Sequence, residues 1–184
     1  MLHLYATLTL LAVQASAGDF RALNFGDPCS KVRSIEMSAG AIEITSSKTL
    51  NAERIEFSGN EFDRDVTFTY DCPAGKLFGG SYLFPVETLV DGLATYKQLH
   101  EQASKIYGVP FVDSSPWQTL APGAPIVPDD PRTYLTTWRT PRVSVRITIH
   151  EGLRSRPNEW RVTMSFKPGP NVRSNNSLER TRGR

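Results

Sequence analysis

Apolar and polar residues alternate along the middle of the chain in runs that read as β-strands. From Arg54, Ile55 and Phe57 fall on one face, and Arg54, Glu56 and Ser58 on the other. A turn is expected at Ser58-Gly59-Asn60. In the run DVTFTYDC, Val66, Phe68 and Tyr70 oppose Asp65, Thr67, Thr69 and Asp71. In KLFGGSYLF, Phe78, Tyr82 and Phe84 share one parity. Period-2 alternation rich in β-branched and aromatic residues marks half-buried strands. Cys72-Pro73-Ala74-Gly75 supplies turn chemistry between the two runs. Gly79-Gly80, inside a strand, implies a bulge or a close approach by another part of the chain.

The period then changes. Leu89, Leu93, Tyr96, Leu99, Ala103 and Ile106 recur at steps of three and four, with polar residues between them. That pattern predicts an amphipathic helix over residues 86–107. Pro85 suits its first turn, Gly108 its C-terminal cap, and Pro110 forbids continuation. At ~1.5 Å per residue such a helix is roughly 33 Å long, enough to cross an antiparallel sheet.

The flanks repeat this plan loosely. Asp27 and Pro28 open a short helix that carries Val32, Ile35 and Glu36 and ends before Gly40. Residues 41–45 offer a further strand. After the long helix comes a Pro-rich, extended connection around Trp117. Three more alternating runs follow. Tyr134, Thr136 and Trp138 share a face in the first, Val143, Val145, Ile147 and Ile149 in the second, and Trp160, Val162, Met164 and Phe166 in the third. EGLRSRPN joins the last two as a hairpin. The expected fold is α+β: an antiparallel sheet of about six strands in two α-β-β-β halves, residues 24–84 and 85–167, with helices packed on one face. Residues 18–167 form one domain, and residues 168–184, polar and without period, read as a disordered tail.

Composition narrows the class. The chain of 184 residues is 39% hydrophobic and 22% charged, which suits a folded globule. Residues 1–17 carry an uncharged apolar run ending in Ala15-Ser16-Ala17, the layout of a secretory signal peptide. The mature chain is therefore expected to be periplasmic or secreted, with no transmembrane segment. Its two cysteines, Cys29 and Cys72, are expected to pair in such a compartment. No lipobox precedes Cys29.

Gly26-Asp27-Pro28, Gly108-Val109-Pro110, and Trp138 with the strand RVSVRITI carry a resemblance. A short helix, a G-x-P phrase and a Trp-bearing three-stranded meander resemble the building unit of beta-lactamase-inhibitor-protein-like domains. The small outer-membrane-assembly lipoproteins share that unit. The chain departs from them in lacking a lipobox, in its longer second helix and in its Pro-rich insertion. The resemblance implies a non-enzymatic, protein-binding role. The segment SNNSLERTRGR resembles the read-through termini of reading frames in mobile gene cassettes.

Charge completes the reading. Residues 51–71 hold six acidic residues against two arginines; residues 132–167 hold seven arginines and Lys167 against Glu151 and Glu159. By alternation Arg142, Arg146, Arg161 and Lys167 share the outward face with Ser144, Thr148, Thr163 and Ser165. Half of that face is expected to be acidic and half basic, steering a charged protein or envelope component, with Trp117 in the Pro-rich loop as a further contact. A net charge of +2 and the lack of interleaved aromatics give nucleic acid no support. No catalytic motif, cofactor motif or metal-ligand spacing stands out. The rival reading is a small hydrolase built on His100 or His150. A third is a small-ligand carrier with Phe57, Phe68, Tyr82 and Trp160 lining a cavity under the helix.

Overall fold

The structure, a computed structural model, describes residues 18–62, 64–115, 134–151 and 160–171. Its elements run α1 (Cys29–Ser38), β1 (Ile42–Lys48), β2 (Ala52–Glu61), β3 (Arg64–Pro73), β4 (Gly79–Val86), α2 (Leu89–Tyr107), β5 (Val112–Asp113), β6 (Leu135–Arg139), β7 (Val143–Glu151) and β8 (Trp160–Pro168). All eight strands join one sheet in the order β1-β2-β3-β4-β8-β7-β6-β5, with every pairing antiparallel. Each half is thus a helix followed by four strands. α2 carries the chain from β4 across to the far edge, and the second meander returns until β8 lies against β4.

The α+β class is as expected, but the sheet has eight strands, not about six. One addition is β1, at the position offered by residues 41–45. The other is β5, whose two residues are too few to show alternation. The turn expected at Ser58-Gly59-Asn60 lies instead within β2, which runs on to Glu61. Glycine is needed there for space: a Cβ on Gly59 would sit 2.7 Å from the Phe68 ring. Pro85 belongs to β4, opposite Arg161, because Val86 still points into the core. α2 starts later, at Leu89, and is capped by Thr88, whose side chain accepts a hydrogen bond from the Asp91 amide. Gly108 closes the helix with φ +80°.

One face of the sheet carries the core. Ile55, Phe57, Val66, Phe68, Tyr82, Phe84, Val145, Ile147, Ile149, Val162 and Met164 alternate onto it and are buried. Both helices lie there. α1 reaches β3 through the Cys29–Cys72 disulfide and through Glu36, which accepts from the Tyr70 hydroxyl. α2 reaches β6 through the Tyr96 hydroxyl, 2.7 Å from Thr136 Oγ1, and through the carbonyl of its C-cap, Gly108 O, which accepts from Trp138 Nε1 at 3.0 Å. Between the helices Phe20 plugs the sheet. Its ring centre is 5.2 Å from Tyr70, 5.1 Å from Tyr82 and 4.9 Å from Phe166. No helix among the described residues is long and apolar enough to cross a membrane.

Candidate functional site

No described helix lies on the other face of the sheet, and strand register arranges its side chains in rows. One row reads Glu56, Thr69, Ser81, Ser165, Arg146, Thr137 from β2 to β6. The next reads Ser58, Thr67, Leu83, Thr163, Thr148, Leu135. At ~4.8 Å between strands, six strands make a surface about 24 Å wide. Short hydroxyl side chains dominate its middle, so little rises above the backbone there. Long charged side chains stand mainly at its ends.

The basic end is built by three strands. Lys167 of β8 pairs across to Ser144 of β7, and Ser144 to Arg139 of β6. In the adjoining row Arg146 stands between Ser165 and Thr137. Arg139, Ser144, Arg146, Ser165, Lys167 and the chain at Pro168–Pro170 enclose an open cleft of about 510 Å³ with no acidic residue among the described residues of its lining. Arg139 is held in place by the Phe111 ring, 4.2 Å from its guanidinium carbon to the ring centre. Arg146 and Lys167 are exposed and make no ion pair among the described residues.

Of the expected binding residues, the structure brings together Arg146 and Lys167. Arg161 lies six residues along β8 from Lys167, roughly 20 Å at the strand rise, opposite Pro85 and His150. Arg142 precedes β7 in a bend and turns to the helix side. There its Nε donates to Asp19 Oδ1 at 3.0 Å and its Nη2 to Asn24 at 3.2 Å. Trp117 lies outside the described residues, as do the other residues of 116–133 in the Pro-rich connection, residues 152–159 of the turn after Glu151 and residues 172–184 of the expected tail. Arg139 is not among the binding residues expected from the sequence. Its parity, opposite to that of buried Trp138, is the signal that places it on this face.

The acidic end is thinner than the sequence suggests. Glu53 and Glu61 alternate to the helix side, where they pair with Arg33 at 2.9 Å and with Arg21. Asp63 lies outside the described residues. Glu56, Asp65 and Asp71 remain on the open face, and Glu56 is met by Arg54 at 3.2 Å. The contrast across the sheet therefore rests chiefly on its basic end.

The two histidines sit apart from both ends. His100 Nε2 lies 3.2 Å from Asp113 Oδ2. Asp113 Oδ1 accepts from the Ser115 amide at 3.0 Å and from Thr136 Oγ1 at 3.1 Å. Desolvation pushes the Asp113 carboxyl up, yet the donors from Ser115, His100 and Thr136 outweigh it and hold the carboxyl below its ordinary value. Here the carboxylate is the hub, joining α2, β5 and β6. His150 Nε2 is 2.7 Å from Thr148 Oγ1 on the open face, and desolvation lowers its pKa. Among the described residues no group of three or more His, Cys, Asp or Glu side chains is placed to hold a metal ion. Phe57 and Phe68 are fully packed core, so the aromatics named for a carrier cavity do not together line one.

Comparison of the chain with protein-family models, with curated proteins and with solved structures returns no match in any of the three.

Proposed function

We propose that this is an exported, non-catalytic binding protein that docks an acidic segment of a partner protein on the open face of its sheet, at the basic end. The observation that carries the reading is the cleft formed by Arg139, Arg146 and Lys167 with the hydroxyls of Ser144 and Ser165. Three cations converge there from three strands, with no carboxylate among the described residues of the lining. Carboxylates brought to that cleft meet charge and hydroxyl donors together, and electrostatic steering speeds their arrival. The flat Ser/Thr ladder beside it lets a partner's backbone approach closely. The Cys29–Cys72 disulfide supports the export reading, since such bonds persist in oxidising compartments. The resemblance to beta-lactamase-inhibitor-protein-like domains, which implies a protein-binding role, points the same way.

A hexaglutamate peptide tests this. Titrated into labelled protein at low salt, it is expected to shift the amide signals of Ser144, Arg146, Ser165 and Lys167, while hexalysine leaves them in place. The double reversal Arg146→Glu/Lys167→Glu should weaken hexaglutamate at least tenfold without lowering the unfolding temperature. Added salt should weaken the wild-type interaction, because exposed charges are screened. Binding that survives the double reversal, or that maps to the β1–β3 end, would sink the reading.

A further inference from the structure

The helix side of the sheet holds a second concavity, unrelated to the basic end. It is a cleft of about 590 Å³ between α1, the N-terminal segment and the C-terminal half of α2. That volume is in the range of small-molecule sites. Its walls are mainly apolar: Ile35, Phe62, Ala103, Ile106, Met164 and Phe166. Its floor is ionic. Glu36 lines the cleft although its side chain is only 1% exposed. One oxygen, Oε1, accepts from Arg21 Nε at 2.9 Å and from the Tyr70 hydroxyl. The other, Oε2, meets no donor among the described residues.

A buried carboxylate oxygen without a donor is costly, and native structures rarely leave one. The surrounding charges do not relieve it. Arg21 is shared between Glu36 and Glu61, so one guanidinium faces two carboxylates. The Arg21 cation is also held over the Phe68 ring, 4.2 Å from its centre. At the rim Asp19 and Arg142 neutralise each other. Among the side chains of the lining, three carboxylates therefore face two guanidiniums, while the walls favour hydrocarbon.

The geometry points to a binding site for a small amphipathic cation, a primary amine with an apolar tail. Its ammonium group donates to Glu36 Oε2 and balances the second carboxylate. Its tail lies along Phe62, Ile106, Met164 and Phe166. A carboxylate of the same length would bring a third negative charge to the floor. An alcohol would supply a donor but leave the excess charge in place.

Calorimetry with octylammonium, octanoate and octanol tests the assignment on the purified protein. Octylammonium should bind at least tenfold more tightly than either of the others. Glu36→Gln keeps the shape of the side chain and should bring the amine and the alcohol within twofold of each other. Because Glu36→Gln also touches the Arg21 contact, a second variant is made at the rim. Ile106 is 60% exposed, so Ile106→Arg leaves the core intact while placing a cation at the mouth. It should weaken octylammonium at least tenfold. Amide shifts on titration should fall at Phe62, Ala103 and Ile106, well away from the residues that report on hexaglutamate. Failure of the amine to bind, equal binding of all three probes, or affinities unchanged by both variants would overturn the proposal. None of these outcomes bears on the basic end of the open face.

Discussion

Gly80 shows how one position can decide the packing of a sheet. A Cβ built on it would lie 2.1 Å from the Phe20 ring, well inside van der Waals contact. The ring occupies the space that a side chain would take, and through it touches Tyr70, Tyr82 and Phe166. The Gly79-Gly80 pair signals close approach in the sequence, but it does not say what approaches. The answer is a ring from a segment sixty residues earlier in the chain, and no local pattern reaches that far. Gly80→Ala should therefore destabilise the fold by about 1–3 kcal/mol, the usual cost of overpacking. Phe20→Ala opens a cavity and should cost about 3–5 kcal/mol alone. The two positions touch, so the double variant should be more stable than the summed losses predict. Urea unfolding of the three variants checks this; strict additivity would mean that the ring and the glycine do not share the space.

The helix α2 is fastened at its middle by Asp113 as well as by its apolar stripe. The stripe is legible in the sequence, from Leu93 through Tyr96, Leu99 and Ala103. The fastening is not, because β5 has only two residues and, beyond the local Ser115 amide, Asp113 finds its partners in His100 and Thr136, 13 and 23 residues away. Donors from Ser115, His100 and Thr136 overcome desolvation and lower the Asp113 pKa. Its folded value then lies below the unfolded value of about 3.9. A depressed carboxyl contributes stability that is present above the unfolded pKa and is lost as pH falls through the folded one. Asp113→Asn removes that contribution and leaves one amide N–H facing donors. The variant should be less stable by about 1–3 kcal/mol at pH 7. The gap should narrow as pH falls from the unfolded value of about 3.9 towards the lower folded one, because the unfolded chain takes up the proton first. Urea midpoints measured between pH 3 and pH 7 give the comparison, and a gap that stays constant over that range would assign Asp113 a purely steric role.

The molecule as a whole is two meanders joined at β4 and β8. Each meander is legible, because Phe57, Phe68, Tyr82, Val145 and Val162 all keep the parity that their runs assign. The join is not: residues on β4 and β8 lie about eighty apart in the chain, and alternation says which face a strand shows but not which strand lies beside it. The same limit explains the basic end. Parity puts Arg146 and Lys167 outward, but it also puts Arg142 there, and the bend before β7 sends Arg142 to Asp19. What holds the first half together against this long-range assembly is the bond between Cys29 and Cys72, which spans 43 residues and ties α1 to β3. Closing a loop of that length removes unfolded-state entropy worth about 4 kcal/mol. Single domains are stable by only about 5–15 kcal/mol. Cys29→Ala/Cys72→Ala should accordingly lose about 3–4 kcal/mol in urea unfolding. Reductant should lower the wild-type midpoint towards that of the variant and leave the variant itself unchanged. Because α1 carries Glu36, the reduced protein should also bind octylammonium less tightly while its response to hexaglutamate at β6–β8 persists, and equal loss at both sites would mean that the two meanders unfold as one unit.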